Sequence, residues 1–281
     1  MDTRVFQDWI GRTDVQIDTL HAGPARALAA TLDQDPDEFG LRAELPPLWL
    51  WLYFLPAVRA SGIGADGHPQ RGGFLPPVAL PRRMWAGSRC RFHGPVRIGD
   101  ELTKVSTITG VSAKTGRNGE MVFVTVRHAW SRGGAGLAEE EQDIVYMPIP
   151  DVFSPPPPVL PGACEHTESV AVDPVMLFRF SALTFNGHRI HYDRTYAMHT
   201  EKYPGLVVHG PLQAILLMEA ARRWYPGRRP SEFTFRGLRP LFDFDEVSVS
   251  GRANAAGGLD LFTVNGEGAA GMQATLGWAG G

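Results

Sequence analysis

The sequence predicts an α+β fold of two similar units, each a curved antiparallel sheet wrapped around a helix. Residues 149–162 (IPDVFSPPPPVLPG) contain four consecutive prolines, which lack N–H donors and favour an extended connection over a helix or an inner strand. A short pattern, Phe-x-Gly followed by a spacer and Asp-Glu-aliphatic, occurs at residues 92–102 and again at 235–247. We therefore predict an N-terminal unit of residues 1–148, a linker of residues 149–162 and a C-terminal unit of residues 163–281.

Stretches rich in β-forming residues follow the repeated pattern in both units. They are residues 102–112 and 121–130 in the first unit, and residues 247–255 and 259–266 in the second. Each pair is separated by a turn that contains Gly or Asn, as antiparallel neighbours require. We expect the two sheets to join edge to edge, because pairing protects strand edges that a lone unit would expose.

A helix is predicted ahead of the strands of the second unit. Gly210 and Pro211 stand at its start, where proline is tolerated, and apolar residues recur at helical spacing from Leu212 onward. We place the central helix at residues 212–223, although the pattern alone fits an amphipathic helix packed on any sheet equally well. Four further helical segments are predicted: residues 25–32, 47–58, 173–185 with Asp173 as the N-cap, and 193–198.

The composition excludes several classes of partner. The chain has 281 residues, a formal net charge of −3 and two cysteines, Cys90 and Cys164. A chain without a basic excess does not attract nucleic acid or an acidic membrane surface, and two distant thiols form neither a disulfide framework nor a zinc site. The N-terminus is acidic where a secretory signal is basic, and the most apolar segment, residues 48–58, is half a membrane span. We expect a cytoplasmic protein with a small-molecule partner, no nucleic acid and no membrane.

A cluster of polar residues precedes the predicted central helix. Six of them fall within eight consecutive positions: Asn186, His188, Arg189, His191, Tyr192 and Asp193. For each residue taken alone, a local role in satisfying backbone groups or in a solvated ion pair stays open. No glycine-rich loop stands between a strand and a helix, so we expect no nicotinamide or flavin. We also expect no metal, because His188 and His191 have no second ligand pair.

On these residues the sequence resembles the MaoC-like, or R-specific hydratase 2, family of double hot-dog proteins. The family motif runs Asp-x-Asn-Pro-aliphatic-His and is followed later in the chain by a His-Gly pair. Here Asn186 stands at the place of the Asp, His191 is the final His, and His209 with Gly210 forms the later pair.

Two further segments resemble one subgroup of that family more closely. They are RRMWAG at residues 82–87 and FNGHRIHYD at residues 185–193. The subgroup includes mitochondrial 3-hydroxyacyl-thioester dehydratases and bacterial mesaconyl- or itaconyl-CoA hydratases. The resemblance implies a hydro-lyase that adds water to, or removes it from, a carbon–carbon double bond of an acyl thioester. It implies no cofactor, since coenzyme A is part of the substrate.

The resemblance also implies which residues are catalytic. The family uses its acidic residue together with the histidine to handle water and protons, and an asparagine cannot act as a base. We therefore expect His191 to transfer protons and Asn186 to orient water, and the general base is left open between His191, His188 and Asp193. The backbone N–H of Gly210, at a helix N-terminus, is expected to bind the thioester oxygen as negative charge develops there.

Substrate binding is expected from residues of both units. The RRMWAG segment combines cations, an aromatic ring and small residues, as a ligand channel would, although a surface arginine pair beside a core tryptophan is an equally open interpretation. An arginine is expected to meet a substrate carboxylate or the coenzyme A phosphates. The expected substrate-binding residues are Arg82, Arg83, Met84, Trp85, His188, Arg189, Val208 and His209.

The expected substrate is a short, branched, dicarboxylic enoyl-CoA such as mesaconyl-C4-CoA or itaconyl-CoA. Three alternatives remain open at this point. The first is a 3-hydroxyacyl-thioester dehydratase of fatty-acid synthesis, the second is a hot-dog thioesterase, and the third is a non-catalytic acyl-CoA-binding protein. We also expect a homo-oligomer, in the form of a homodimer.

Overall fold

The computed structural model describes residues 3–116 and 119–280 and contains one antiparallel sheet of ten strands. In chain order the strands are β1 Thr13–Thr19, β2 Arg82–Phe92, β3 Glu101–Gly116, β4 Gly119–Arg132, β5 Ala135–Met147, β6 His166–Val170, β7 Pro230–Gly237, β8 Val247–Ala253, β9 Leu259–Val264 and β10 Ala270–Trp278. The helices are α1 Ala22–Thr31, α2 Pro174–Leu183, α3 Arg194–His199 and α4 Gly210–Trp224. Short 3₁₀ turns lie at Thr3–Trp9, Pro36–Glu38, Trp49–Leu52, Ala60–Gly62 and Arg189–His191.

The strand order reveals two equivalent halves. Across the sheet it runs β1-β3-β4-β5-β2 and then β7-β10-β9-β8-β6, so the second half reverses the first. Strands β2 and β7 pair at the centre, from Gly87 opposite Arg236 to Arg91 opposite Glu232. The predicted edge-to-edge joining and the predicted strands are therefore confirmed. The two repeated Phe-x-Gly segments lie at equivalent places, at the ends of β2 and β7.

Helix α4 fills the inner face of the second half. Pro211 stands in its first turn, where no intrahelical acceptor is lost, and ten of its residues, from Leu212 to Ala221, are buried. The helix packs against β8, β9 and β10. The predicted central helix is confirmed, as is α2 with Asp173 as its N-cap, and the helix predicted at residues 193–198 is α3, for which the structure shows Asp193 as the N-cap.

In the described part of the chain, the first half has no counterpart of α4. The helix predicted at residues 47–58 is wrong, since the segment forms only the 3₁₀ turn Trp49–Leu52. Left-handed backbone at Leu48 and Phe54, together with Pro56, prevents a longer helix. The segment is nevertheless core, and the Trp49 indole N–H donates to Glu219 of α4 at 3.1 Å.

The inner face of the first half is polar near its centre. Ser106, His128 and Glu140 lie side by side on β3, β4 and β5. The Glu140 carboxylate accepts hydrogen bonds from Ser88 Oγ at 2.6 Å and Trp51 Nε1 at 2.9 Å. Burial raises the pKa of Glu140, and it lowers the pKa of His128 to about 3. An irregular segment, residues 53–81, connects the Trp49–Leu52 turn to β2.

The predicted linker lies between β5 and β6. Residues 148–165 there contain neither helix nor strand, and the predicted division at residues 148 and 163 stays a prediction. None of the helices in the described ranges combines the length and the apolar character that crossing a bilayer requires.

Candidate active site

Four buried or nearly buried histidines form one group, which we call the histidine cluster: His68, His188, His191 and His209. The ring centroids of His68 and His188 are 4.1 Å apart, and those of His188 and His191 are 5.4 Å apart. His191 stacks on His209 at 3.6 Å. The Arg189–His191 turn and the entry to α4 bring three of these residues together, and the irregular segment of the first half supplies the fourth.

The His191 ring is held in one tautomer, and its second ring nitrogen can accept a proton. Its Nδ1 lies 2.7 Å from the Val207 carbonyl oxygen, which only accepts, so the ring proton is on Nδ1 and Nε2 keeps its lone pair. Burial lowers the pKa of His191 to about 4. The imidazole is therefore neutral near pH 7 and able to accept a proton.

His209 and Gly210 form the entry to α4. Nε2 of His209 lies 2.8 Å from Ser181 Oγ, and burial holds the pKa of His209 well below its usual value. Gly210 is the first helical residue, so its N–H has no acceptor within the helix. Its Cα faces the strand backbone, because a Cβ placed there would lie 3.9 Å from the Trp85 carbonyl oxygen.

Asn186 fixes the turn that carries the cluster. Its Oδ1 accepts the backbone N–H of His188 at 3.0 Å, and its own N–H donates to the Ser181 carbonyl at 2.8 Å. The side-chain carbonyl is thus committed to the backbone. A water-orienting role would fall to the amide nitrogen, which is a donor only.

The two adjacent arginines point in opposite directions, as neighbours on a strand do. Arg82 is buried and donates to the Glu201 carboxylate at 2.7 Å, with its guanidinium over the Tyr203 ring. Arg83 faces the other side, toward Tyr146 and the histidine cluster, where its charge contributes to lowering the pKa of His188 after burial and neighbouring histidines. Of the two, only Arg83 faces the histidine cluster, and its guanidinium donates to the Pro69 carbonyl at 3.4 Å.

The other residues expected to bind the substrate also differ in where their side chains lie. Trp85 lies on the inner side and donates from Nε1 to Ser88 Oγ at 2.8 Å. Met84 accepts from the Tyr203 hydroxyl at 3.5 Å, beside Arg82. Arg189 donates to Asp193 at 2.7 Å and to the Ala65 carbonyl at 3.0 Å, so its guanidinium is occupied. Val208 is buried and donates its N–H to Leu241.

Sequence reasoning missed His68 of the histidine cluster and two residues beside it, Asp66 and Tyr146. Asp66 and His68 come from the irregular segment of the first half, and their side chains are 3.0 Å apart. Tyr146 on β5 is fully buried, and its hydroxyl has no hydrogen-bond partner among the described residues. The only local signal was the turn sequence Asp-Gly-His-Pro at residues 66–69, which carries no chemistry until the fold brings it to His188.

Comparisons with known proteins show which family the chain is similar to. The model of the family "Hydroxyacyl-thioester dehydratase type 2" matches residues 48–243. The mesaconyl-C(4)-CoA hydratase of Chloroflexus aurantiacus is 47% identical over 278 residues, covering 98% of this chain and 99% of the relative. The mitochondrial hydroxyacyl-thioester dehydratase type 2 of Schizosaccharomyces pombe is 29% identical over 223 residues, covering 70% and 74%.

Solved structures support the fold. A MaoC-like dehydratase superposes with a TM-score of 0.74 at 13% identity, covering 96% of this chain and 98% of its own. A Mycobacterium tuberculosis protein described as having a double hot-dog fold gives a TM-score of 0.56 at 14% identity, with 96% of each chain covered. At such identities the likeness concerns the fold alone. The predicted α+β double hot-dog fold is confirmed.

Proposed function

The chain belongs to the hydroxyacyl-thioester dehydratase type 2 family, and we propose that it hydrates a short, branched, dicarboxylic enoyl-CoA such as mesaconyl-C4-CoA or itaconyl-CoA. It is a hydro-lyase of the enoyl-CoA hydratase type. The near full-length identity to a mesaconyl-C(4)-CoA hydratase supports this choice of substrate. The observation in this chain that carries it is that Arg83 lies opposite Tyr146 in the sheet and close enough to the histidine cluster to help lower the pKa of His188.

The proposed chemistry uses the entry to α4 and the turn before it. The thioester carbonyl binds at the Gly210 N–H, where the helix N-terminus stabilises the negative charge that develops during addition. Pro211 has no N–H to offer. His191, neutral and with a free Nε2, transfers a proton, and the Asn186 amide nitrogen donates to water.

Arg83 and Tyr146 are proposed to bind the second carboxylate of the substrate. A buried hydroxyl without a partner is costly, and a carboxylate oxygen would satisfy it. Arg83 supplies a charge-assisted contact from the same direction. Arg82 and Arg189 do not take this role. Arg82 is already ion-paired with Glu201, and Arg189 with Asp193.

The runner-up substrate is the 3-hydroxyacyl thioester of fatty-acid synthesis, which the relative from Schizosaccharomyces pombe makes relevant. That substrate has a long apolar chain. The inner face of the first half carries the polar residues Ser106, His128 and Glu140, whereas a long acyl chain is best bound by a predominantly apolar channel.

The test compares Arg83→Met with Arg91→Met, an exposed arginine on the same strand. With mesaconyl-C4-CoA, Arg83→Met should lower kcat/KM by roughly tenfold to a hundredfold more than with crotonyl-CoA, since one charged hydrogen bond contributes about 1.5–3 kcal/mol. Hydration is followed by the loss of enoyl absorbance. Equal losses on both substrates would reject the carboxylate role, and release of free thiol would indicate a thioesterase instead.

We further propose a cytoplasmic homodimer that needs no cofactor beyond the coenzyme A of its substrate. Hot-dog units commonly assemble through their sheets, and β1 and β6 are the edge strands of the described sheet. Light scattering at the monomer mass would reject the dimer. Stoichiometric metal or a bound chromophore in the purified protein would reject the absence of a cofactor.

A further inference from the structure

We propose that His68, oriented by Asp66, is a second proton-transfer residue of the active site. The first half of the molecule thereby supplies the acid–base group that Asn186 cannot provide. The inference rests on the proposed hydration, which requires a proton to leave water and a proton to reach the α-carbon. His68 is placed for this role by its contact with His188, 4.1 Å between ring centroids.

Backbone contacts dock the hairpin that carries His68 onto the catalytic turn. The hairpin closes through the Ile63–Pro69 bridge. The N–H of Arg189 donates to the Asp66 carbonyl at 3.0 Å. Gly67 has a φ of +88°, and a Cβ there would lie only 1.7 Å from the Gly187 carbonyl oxygen. Such a close approach needs glycine and fixes where the hairpin lies.

Asp66 fixes the tautomer of His68. One carboxylate oxygen is 3.0 Å from His68 Nδ1, and the other accepts the backbone N–H of His68 at 3.0 Å. Because a carboxylate only accepts, the proton is on Nδ1 and Nε2 keeps its lone pair, as in His191. The carboxylate also stabilises the imidazolium that forms when Nε2 accepts a proton.

The surroundings of His68 and Asp66 set the protonation state of each side chain. Burial lowers the pKa of His68, with the hydrogen bond to Asp66 opposing that shift and the charge of Arg83 adding to it. Burial alone would raise the pKa of Asp66, but the hydrogen bond from His68 brings it below its usual value. Near pH 7 the pair is therefore a neutral imidazole beside an ionised carboxylate.

With His68 as a second proton-transfer residue, the proton lost by water and the proton gained by the α-carbon can both be accounted for. As the water oxygen bonds to the β-carbon, one water proton moves to Nε2 of His68, and the π electron pair moves onto the thioester oxygen at Gly210. The His68 imidazolium releases this proton to solvent and Nε2 of His191 takes one from solvent, while the His188 ring contacts the rings of both. The α-carbon of the enolate takes a proton from His191, so one water is consumed and every imidazole ends neutral.

The main test is His68→Gln, which keeps a side-chain donor for Asp66 but removes the base. We expect kcat to fall by about 10² to 10⁴ with little change in KM, on mesaconyl-C4-CoA and on crotonyl-CoA. Asp66→Asn should lower kcat by a smaller factor, and Asp66→Glu should recover part of the loss. The matched control, His93→Gln on the exposed surface, should behave as wild type.

Rescue separates chemistry from structure. If His68 substitutes for the missing carboxylate, Asn186→Asp added to His68→Gln should restore part of kcat, which a purely structural role of His68 would not allow. Gly67→Ala should also lower kcat, whereas Gly72→Ala, with a φ of +87° and no neighbour closer than 3.7 Å, should not.

Two outcomes overturn the inference. An unchanged kcat in His68→Gln, together with a large loss in His188→Gln, would assign the base to His188. A loss in His68→Gln that Asn186→Asp does not restore, accompanied by a lower melting temperature, would make His68 structural. If wild-type protein hydrates neither thioester, the proposed function fails instead, and the two failures are distinguishable.

Discussion

The two halves of the molecule share a strand topology but fill their inner faces differently. In the second half α4 lies against the sheet, and its buried residues are mostly apolar. In the first half the corresponding face carries Ser106, His128 and Glu140, and an irregular segment of residues 53–81 leads across to β2. The inner face of the sheet is therefore covered by a packed helix in the second half and carries polar side chains in the first half.

This difference in the inner faces indicates that the two halves contribute different groups to the proposed site. A helix places one backbone N–H, that of Gly210, at a fixed point and contributes positive potential there. An irregular segment lacks that regularity, but its turns can deliver side chains such as Asp66 and His68 to a neighbour's turn. The first half also brings Arg83 to the histidine cluster.

The largest effect is expected in the second half. His191→Ala should reduce kcat by about 10² to 10⁴ while the circular dichroism spectrum stays unchanged, because the side chain removed is the proposed main proton-transfer group. His166→Ala, which removes a ring stacked on Trp224, is the control and should keep its activity. Full activity in both His191→Ala and Asn186→Ala would mean that the active site lies elsewhere.

The next effect concerns stability and separates the two arginines of β2. Arg82→Met leaves Glu201 buried without its partner, which should lower the free energy of unfolding by about 3–5 kcal/mol. Urea unfolding measures this loss. The preference for a dicarboxylic over a neutral thioester should survive in folded Arg82→Met, in contrast to Arg83→Met. A lost preference with unchanged stability would contradict the opposite orientation of the two side chains.

The smallest effect is expected from Asn186→Asp, which keeps the acceptor for the His188 N–H. The variant should stay active. A carboxylate near the cluster favours imidazolium, so the pKa of His191, about 4 in wild type, should rise. Activity is lost as pH falls through the pKa of the base, and the acid limb of kcat/KM should therefore move to higher pH.

The control for this change is Asn254→Asp in the β8–β9 turn, where the side chain also accepts backbone N–H groups. It should leave the pH profile of kcat/KM unchanged. An Asn186→Asp variant that is inactive at every pH would indicate a site built around a neutral amide, in which a new charge prevents the reaction.

Much of the catalytic region follows from the sequence because its residues are close along the chain. Asn186, His191 and Gly210 belong to a motif and a helix start, and hydrogen bonds between near neighbours, such as Asn186 to His188, shape the turn. The two-unit fold could be predicted as well, since strand alternation and the repeated Phe-x-Gly pattern are local signals. These features depend on spacing along the chain.

Only the tertiary structure decides which residues complete the site. The alternation of a strand predicts that Arg82 and Arg83 face opposite sides, but burial by Glu201 and Tyr203 decides that Arg82 is the structural one. The contact of His68 with His188 depends on the docking of two segments that are distant in the sequence. Such contacts arise from packing and close backbone approach between non-local segments, so no spacing of residues along the chain encodes them.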